Sequence, residues 1–564
     1  MRFLCLFLLT AISWAAEPST AIKLDQAGYP PDAPKLAMVV AEQPAREFHL
    51  RREADGKSVF KGSLGEPLED ANSGDRVQLA DFSSFRQSGR YYLDVPGVGR
   101  SYSFDIKPDV YRRAYYLAMR SFYGQRCGIA VNMGPEFPQY RYAECHREGA
   151  WHASSGKQGA RDSKFGWHDA GDYGRYIVNS GLTTGTLLWA HELYGKRLAR
   201  IKLDIPESGN GTPDILNEIR WNLEWMLTMQ DDDGGVFHKQ TSEQFADFVM
   251  PEKDTATSYV IGTGAEPYKS SCATGDFAAV MAIAQRAYAP YDKAFAKRAG
   301  DAAARAWEWL DKHPNVLFRN PRPVATGAYG DRDCSDERLW AAAELWRSTG
   351  GEAYHTYFLA NYQNFARQVR RPSWPSVGSM GLWTYALARR KDANAEALNA
   401  IRQATIDAAN AIAARTAENP YRISMEARDY VWGSNGEAAN YSLLLLVANQ
   451  LAPDRRYRNA ALDNLHYLLG RNTFSVSWVT WVGTNWYKNP HHRPSGADGI
   501  AEPWPGLLSG GPNRGRSDPA MKKLPANLPP MKAWLDDQES YAGNEIAINW
   551  NAPLVFVLAG SLPE

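Results

Sequence analysis

With only five cysteines, no excess of either charge and no long apolar run in its body, this 564-residue chain is barred from several functions at once. Its 63 basic and 63 acidic side chains cancel, so nothing in the balance favours nucleic acid or an anionic membrane as partner. Beyond the first dozen residues no stretch reaches the roughly eighteen apolar side chains that span a bilayer. There is no low-complexity tract, and at 44% hydrophobic the composition is that of a folded globular chain. A chain this long outgrows one small core, so one large domain and a smaller one are expected.

What is abundant is aromatic: 19 Trp, 29 Tyr and 20 Phe. Burial in a core explains part of that excess. Platforms for the C–H faces of sugar rings would explain the rest. The opening residues carry one charge at Arg2, an apolar run over 3–12, and small residues at Ser13, Ala15 and Ala16. That pattern reads as a secretory signal peptide over 1–16, which makes the mature protein secreted or periplasmic, soluble and free of the membrane. Cys5 leaves with it. Cys127, Cys145, Cys272 and Cys334 remain, an even number that in an exported protein first suggests disulfides. Whether Cys272 and Cys334 pair is not readable from sequence.

Two textures follow. Residues 17–107 alternate short β-rich runs (35–40, 48–50, 89–95) with turn residues such as Pro96-Gly97, which predicts a small all-β sandwich. Residues 108–564 turn helical, with apolar positions recurring at three and four in twelve segments, the first at 110–123 and the last at 546–559. Thr212 before Pro213 reads as a helix cap. Twelve helices suit six hairpins closed into a double ring.

Three segments carry chemistry. In Gly166-Trp167-His168-Asp169-Ala170-Gly171-Asp172-Tyr173 two carboxylates lie three residues apart on a glycine-marked turn. One can be held as an ion while the other takes a proton from water. A helix cap explains the pair about equally well. A second segment runs from Ser477 through Trp481 to Pro490-His491-His492-Arg493, suited to binding hydroxyls or to a solvated loop. The third runs from Trp534 and Asp536 through Tyr541 to Glu545, ahead of an apolar run. Partial desolvation there would raise the Glu545 pKa, as a general acid needs, whereas a place in a helix first turn would lower it.

In this order the three segments resemble the active-site signatures of the family 9 glycoside hydrolases, the endoglucanase group. The start, Asp25-Gln26-Ala27-Gly28-Tyr29-Pro30, is similar to the immunoglobulin-like module that precedes many members. The resemblance implies a mainly α protein, an (α/α)6 barrel behind an immunoglobulin-like sandwich. It also implies a secreted, inverting endo-β-1,4-glucanase acting on cellulose-like or related β-glucans. Asp172 would be the general base and Asp169 would help hold its water. Glu545 would be the general acid, His491 would bind hydroxyls beside the cleaved bond, and Asp536 would orient His491, Arg493 or Glu545. Arg493, Tyr173, Trp432 and Tyr541 would wall the cleft.

Metals enter on the same footing. Cys127, Cys145, His146 and His168 are two thiolates and two imidazoles, a set that fits tetrahedral zinc, although a Cys127–Cys145 disulfide fits the spacing as well. The family resemblance favours a structural Zn²⁺. Asp331, Asp333, Asp336 and Glu337 are hard oxygen ligands suited to Ca²⁺, which the resemblance also makes plausible, or to a solvated helix start. No organic cofactor is expected. The alternatives are an exo-acting β-glycosidase of the same fold on cellodextrins or glucosamine oligomers, and a catalytically inactive glycan-binding protein.

Overall fold

The structure, a computed structural model, describes residues 17–564; the expected signal segment lies outside the described residues. Two sheets form the front of the chain. Strands Ile22–Lys23, Leu36–Val39, Asp75–Asp81 and Leu68–Asp70 pair in that order. Gly28–Tyr29, Phe104–Ile106, Gly89–Val95, Glu47–Arg52 and Ser58–Ser63 make the second sheet. Along Gly89–Val95, Tyr91, Leu93 and Val95 are buried and the residues between them more open, the period of two that a half-covered strand demands. Tyr29, Phe48, Phe82 and Phe104 meet inside, Tyr29 edge-on to both Phe82 and Phe104.

The sandwich is fastened to the rest through polar contacts. Buried Asp25 accepts from Tyr111 Oη at 3.2 Å and lies 2.8 Å from His466 Nδ1. The Gln26 carboxamide accepts from the backbone N–H of Thr484 and Asn485 and donates to Ser475 O. Asp75 meets Lys532 Nζ at 2.7 Å and accepts from Tyr421 Oη and Thr473 Oγ1. Buried polar groups of this kind are tolerated because each is paired.

Twelve helices of ten residues or more dominate the remainder, among the described residues: α1 Arg112–Gly124, α2 Ile177–Leu198, α3 Asp214–Thr228, α4 Ser271–Tyr288, α5 Lys293–Lys312, α6 Ser335–Thr349, α7 Glu352–Asn361, α8 Gly378–Leu387, α9 Ala395–Glu418, α10 Ser434–Leu451, α11 Arg455–Leu468 and α12 Ile548–Ser561, with shorter helical turns and a five-stranded sheet of short strands between them. Each expected helical segment overlaps one of them, with ends that mostly differ by a few residues. The even-numbered helices pack in a closed ring, α2 on α4 on α6 on α8 on α10 on α12 and back to α2, with the odd-numbered ones outside. Sequence explains the division. Inner α12 is apolar nearly all round and buried along almost its whole length, as a central helix must be. Outer α5 instead buries Ala296, Ala299, Ala303, Ala306 and Leu310 on one stripe and turns its charges outward. Ser270, Asp292, Asn394 and Asp454 cap α4, α5, α9 and α11 through backbone N–H groups. The expected Thr212 cap is corrected: Pro213 holds the cap position without a side-chain acceptor, and the Thr212 N–H goes to Asn210 Oδ1.

Among the described residues eleven Trp side chains are buried, so core burial accounts for more than half of the tryptophans. Cys272 and Cys334 form a disulfide that joins the N-terminal ends of inner helices α4 and α6. No helix among the described residues is long and apolar enough to cross a membrane.

Candidate active site

The ring's inner helices present their N-terminal ends together, and the three chemistry-bearing segments meet there through backbone contacts. Ala170 bridges to Ala547, and the Ile548 N–H donates to Asp169 O at 2.8 Å. His491 bridges to Glu545 on the other side, with the His491 N–H donating to Asn544 O at 2.9 Å. The Arg493 N–H and Nη1 both donate to Gly171 O, which closes the triangle. Gly171 is required at this crossing, because a Cβ there would sit 1.9 Å from His491 O. A segment bearing Glu545 is thereby laid beside the aspartate turn, although the two lie more than 370 residues apart in sequence.

They face one cavity of about 800 Å³ lined by Asp169, Asp172, His491, Arg493 and Glu545. Its aromatic walls are Phe245, Trp374, Trp432, Tyr541 and Trp550. Trp432 and Tyr541 rings lie 5.5 Å apart, and Trp432 and Phe245 are among the few large apolar side chains left open to solvent. Flat apolar rings around a few convergent polar groups are what a sugar-binding trough requires.

The carboxyl groups sit in unlike surroundings. Asp169 is buried, accepts from Asn179 Nδ2 and Tyr329 Oη at 2.6 Å each, and is pushed up to about 8 by burial and by the neighbouring Asp172 charge. Asp172 accepts from the Gly174 N–H at 3.0 Å and Tyr176 Oη at 3.2 Å. Two carboxyls on one turn cannot cheaply hold two negative charges, so the pair suits gripping and deprotonating a water. Glu545 is held well above the usual carboxylate range, first by burial in the cleft, then by repulsion from Asp172 and Asp169, against the opposing pull of Arg493 and a hydrogen bond from Trp432 Nε1. Its backbone is extended (φ −65°, ψ 157°) and precedes α12 by three residues. The helix-dipole alternative therefore does not apply, and desolvation prevails.

Several expected roles are corrected. Tyr173 does not line the cavity. Its ring packs on His146 and His168, with centroids 5.0 and 4.9 Å away, and its hydroxyl donates to Val249 O. Asp536 touches none of His491, Arg493 or Glu545. It accepts from the backbone N–H of Lys488 and Asn489 and from Asn544 Nδ2, shaping the loop behind the site. His491 Nδ1 lies 2.7 Å from Gln538 O and must be the protonated nitrogen there, which leaves Nε2 to accept from a hydroxyl. Arg493 lines the cavity, yet Nε and Nη1 are committed to Ala246 O and Gly171 O. Sequence reasoning missed Tyr329, Asn179 and Tyr176, which hold the aspartates, and the wall residues Phe245 and Trp374. Tyr329 stands at φ 42° after Gly327-Ala328, and a bulky aromatic in a glycine-marked turn is the signal that was there to be read.

Cys127, Cys145, His146 and His168 converge, one ligand atom of each lying within 4.8 Å of the others. Both thiols are unpaired and buried, so the disulfide alternative falls. His146 Nε2 is 3.0 Å from Asp254 Oδ2, and its Nδ1 is buried without a hydrogen-bond partner, aimed as a ligand would be. Cys145 Sγ and His168 Nε2 stand 4.0 Å apart, within reach of bonds of about 2.3 and 2.1 Å to a common ion. The acids expected to bind calcium do not converge as a set. Asp333 accepts from Ser335 N and Oγ, and Asp336 from the Val377 N–H. Glu337 is buried with both oxygens unpartnered, as is Asp276 of α4, and Asp331 Oδ2 likewise lacks a partner.

Comparison with known proteins agrees with this geometry. The profile described as "Glycosyl hydrolase family 9" matches residues 111–558, and that described as "Cellulase N-terminal ig-like domain" matches 17–100. "Endoglucanase D" of Acetivibrio thermocellus is 38% identical over 96% of this chain and 83% of its own. "Xyloglucan-specific endo-beta-1,4-glucanase BoGH9A" of Bacteroides ovatus is 35% identical over 100% and 98%. A solved structure, described as a Zn-binding triple mutant of GH family 9 endoglucanase J30, superposes with a TM-score of 0.89 at 34% identity, covering 95% of this chain and 99% of that one.

Proposed function

The chain belongs to glycosyl hydrolase family 9, and on that premise we propose that it is an inverting endo-β-1,4-glucanase in which Asp172 is the general base and Glu545 the general acid. It is a glycoside hydrolase, as its family and its endoglucanase relatives require. One observation carries the assignment of roles: backbone bridges bring the aspartate turn and a strongly desolvated Glu545 onto one aromatic-lined cavity.

The chemistry follows from those positions. A β-glucan lies along Trp432, Tyr541 and their neighbours with one glycosidic oxygen at Glu545. As that C–O bond breaks, Glu545 gives its proton to the departing oxygen, and the anomeric carbon takes on oxocarbenium character. Water on the opposite face adds to that carbon while Asp172 takes its proton, so the configuration inverts. Asp169, held by Tyr329 and Asn179, fixes the water's second contact. His491 Nε2 accepts from a hydroxyl beside the cleaved bond.

Zn²⁺ is the metal proposed for Cys127, Cys145, His146 and His168. Four protein ligands leave no open position, so it supplies cross-linking and no catalysis. His168 adjoins Asp169, and Gln125 Nε2 donates to both His168 O and Ala170 O, so this cluster anchors the base-bearing turn. A Ca²⁺ ion is proposed where Asp276, Asp331 and Glu337 leave carboxylate oxygens without partners. Export is supported by the Cys272–Cys334 disulfide, a bond that persists in oxidising compartments.

The endo assignment is tested on carboxymethyl cellulose and on xyloglucan by following viscosity and reducing ends together. Endo cutting drops viscosity well before reducing ends accumulate. Release of reducing ends at nearly constant viscosity identifies the exo-acting alternative.

A further inference from the structure

Two consecutive buried side chains, His238 and Lys239, hold three consecutive carbonyl groups at the wall of the cavity. Lys239 Nζ donates to Thr326 O at 3.3 Å and Gly327 O at 2.8 Å, and His238 Nε2 lies 2.8 Å from Ala328 O. Lys239 also donates to Thr326 Oγ1 and Asn320 Oδ1, while His238 Nδ1 is 2.9 Å from Ser270 Oγ and its ring stacks on Phe318 at 3.7 Å. The next residue, Tyr329, has φ 42° and donates to Asp169. Gly327, Ala328 and Tyr329 all line the cavity.

Lys239 is buried without a carboxylate in hydrogen-bonding contact, an arrangement that costs several kcal/mol in general and is seldom kept without a use. Its strand, Lys239–Thr241, pairs with Arg175–Tyr176 so that Lys239 stands opposite Tyr176. The ammonium lies 5.5 Å from the centre of the Tyr176 ring, whose hydroxyl donates to Asp172 Oδ2. Burial drives the ammonium down to about 7, against the opposing pull of the Asp172 carboxylate. The other titratable groups around Asp172 are Asp169 and Tyr176 from its own stretch of chain, with Glu545 and His491 across the cavity; Arg493 lies on the segment bound to the Gly171 carbonyl.

We propose that His238 and Lys239 form a carbonyl clamp that positions Tyr329 at the water-binding aspartates, and that the Lys239 cation is the positive charge backing Asp172. Lys239 is on this account a positioning residue: it touches neither sugar nor water. The proposal rests on Asp172 being the general base. Loss of the cation removes a positive charge from beside the base, so the pH profile separates this role from a merely structural one.

The test compares Lys239→Met, Lys239→Arg and Tyr329→Phe with the full-length enzyme on a soluble β-glucan, with circular dichroism and thermal melts as the check on folding. Lys239→Met is expected to lower kcat about 10-fold or more and to move the acidic limb of kcat/KM upward by about half a pH unit or more, with KM within about threefold. Lys239→Arg, which keeps the charge, returns the limb to within about 0.2 units of wild type. A folded Lys239→Met enzyme with a wild-type acidic limb overturns the proposal. Should Lys239→Met not fold, Tyr329→Phe decides: a fall in kcat of about 10-fold at unchanged KM supports the clamp, and wild-type kcat overturns it. Asp172→Ala is run alongside. Full activity in that variant sinks the assignment of the base itself, a failure distinguishable from failure of the clamp.

Discussion

Glu545→Gln lowers kcat on a β-1,4-glucan by about 10³-fold and leaves KM within a few-fold, because the side chain's shape and its contact with Trp432 survive while its proton does not. The loss shrinks sharply on an aryl cellobioside with a good leaving group, since a phenolate departs without protonation. The pH profile gives a second signature. Wild-type kcat/KM falls on the alkaline side as Glu545 loses its proton, and that limb lies well above the usual carboxylate range, because burial and the two aspartates oppose its ionisation. The variant lacks that limb. Equal losses on both substrates, or a retained alkaline limb, would show that Glu545 is not the acid.

Stripping the proposed Zn²⁺ from the Cys127, Cys145, His146 and His168 cluster with a chelator is expected to lower the apparent Tm on the order of 10 °C and to take activity with it. Two buried thiols and two imidazoles lose their common partner at once, a cost on the order of 5 kcal/mol, and His168 then no longer fixes Asp169. Stoichiometric Zn²⁺ restores both properties. If the proposed Ca²⁺ site at Asp276, Asp331 and Glu337 is real, a calcium-selective chelator gives a separate, Ca²⁺-reversible loss of stability, and no effect on stability contradicts it. Activity lost at constant Tm would instead make the zinc catalytic, against four protein ligands that leave it no open site.

The helices were readable because periodicity reports burial, and the inner and outer rings differ in it: α5 has one apolar stripe where α12 is apolar throughout. The aspartate turn and Glu545 were readable as chemistry through the resemblance of three ordered segments to family 9; the residues alone left a helix cap and a helix first turn equally open. Side-chain direction was not. Tyr173 neighbours Asp172 in sequence, yet its ring turns to the Cys/His cluster, a choice made by tertiary packing. Tyr329 reaches Asp169 across 160 residues, a pairing no local window contains. The acids at the start of α6 read as one ligand set, but helix-end geometry sends Asp333 to Ser335 and Asp336 to Val377, while Glu337 is buried with both oxygens unpartnered, near the equally unpartnered Asp276 of another helix. Glu545 looked like a helix opener because the apolar run begins beside it. The backbone stays extended there to bridge with His491.

The most direct measurement is proton NMR of the first sugar released from a β-1,4-oligoglucoside, recorded before mutarotation. A water held by Asp169 and Asp172 across the ring from Glu545 delivers the α-anomer as the initial product. A β-anomer at the earliest times means that a carboxylate attacked the sugar directly, and the assignment of Asp172 as general base would be wrong.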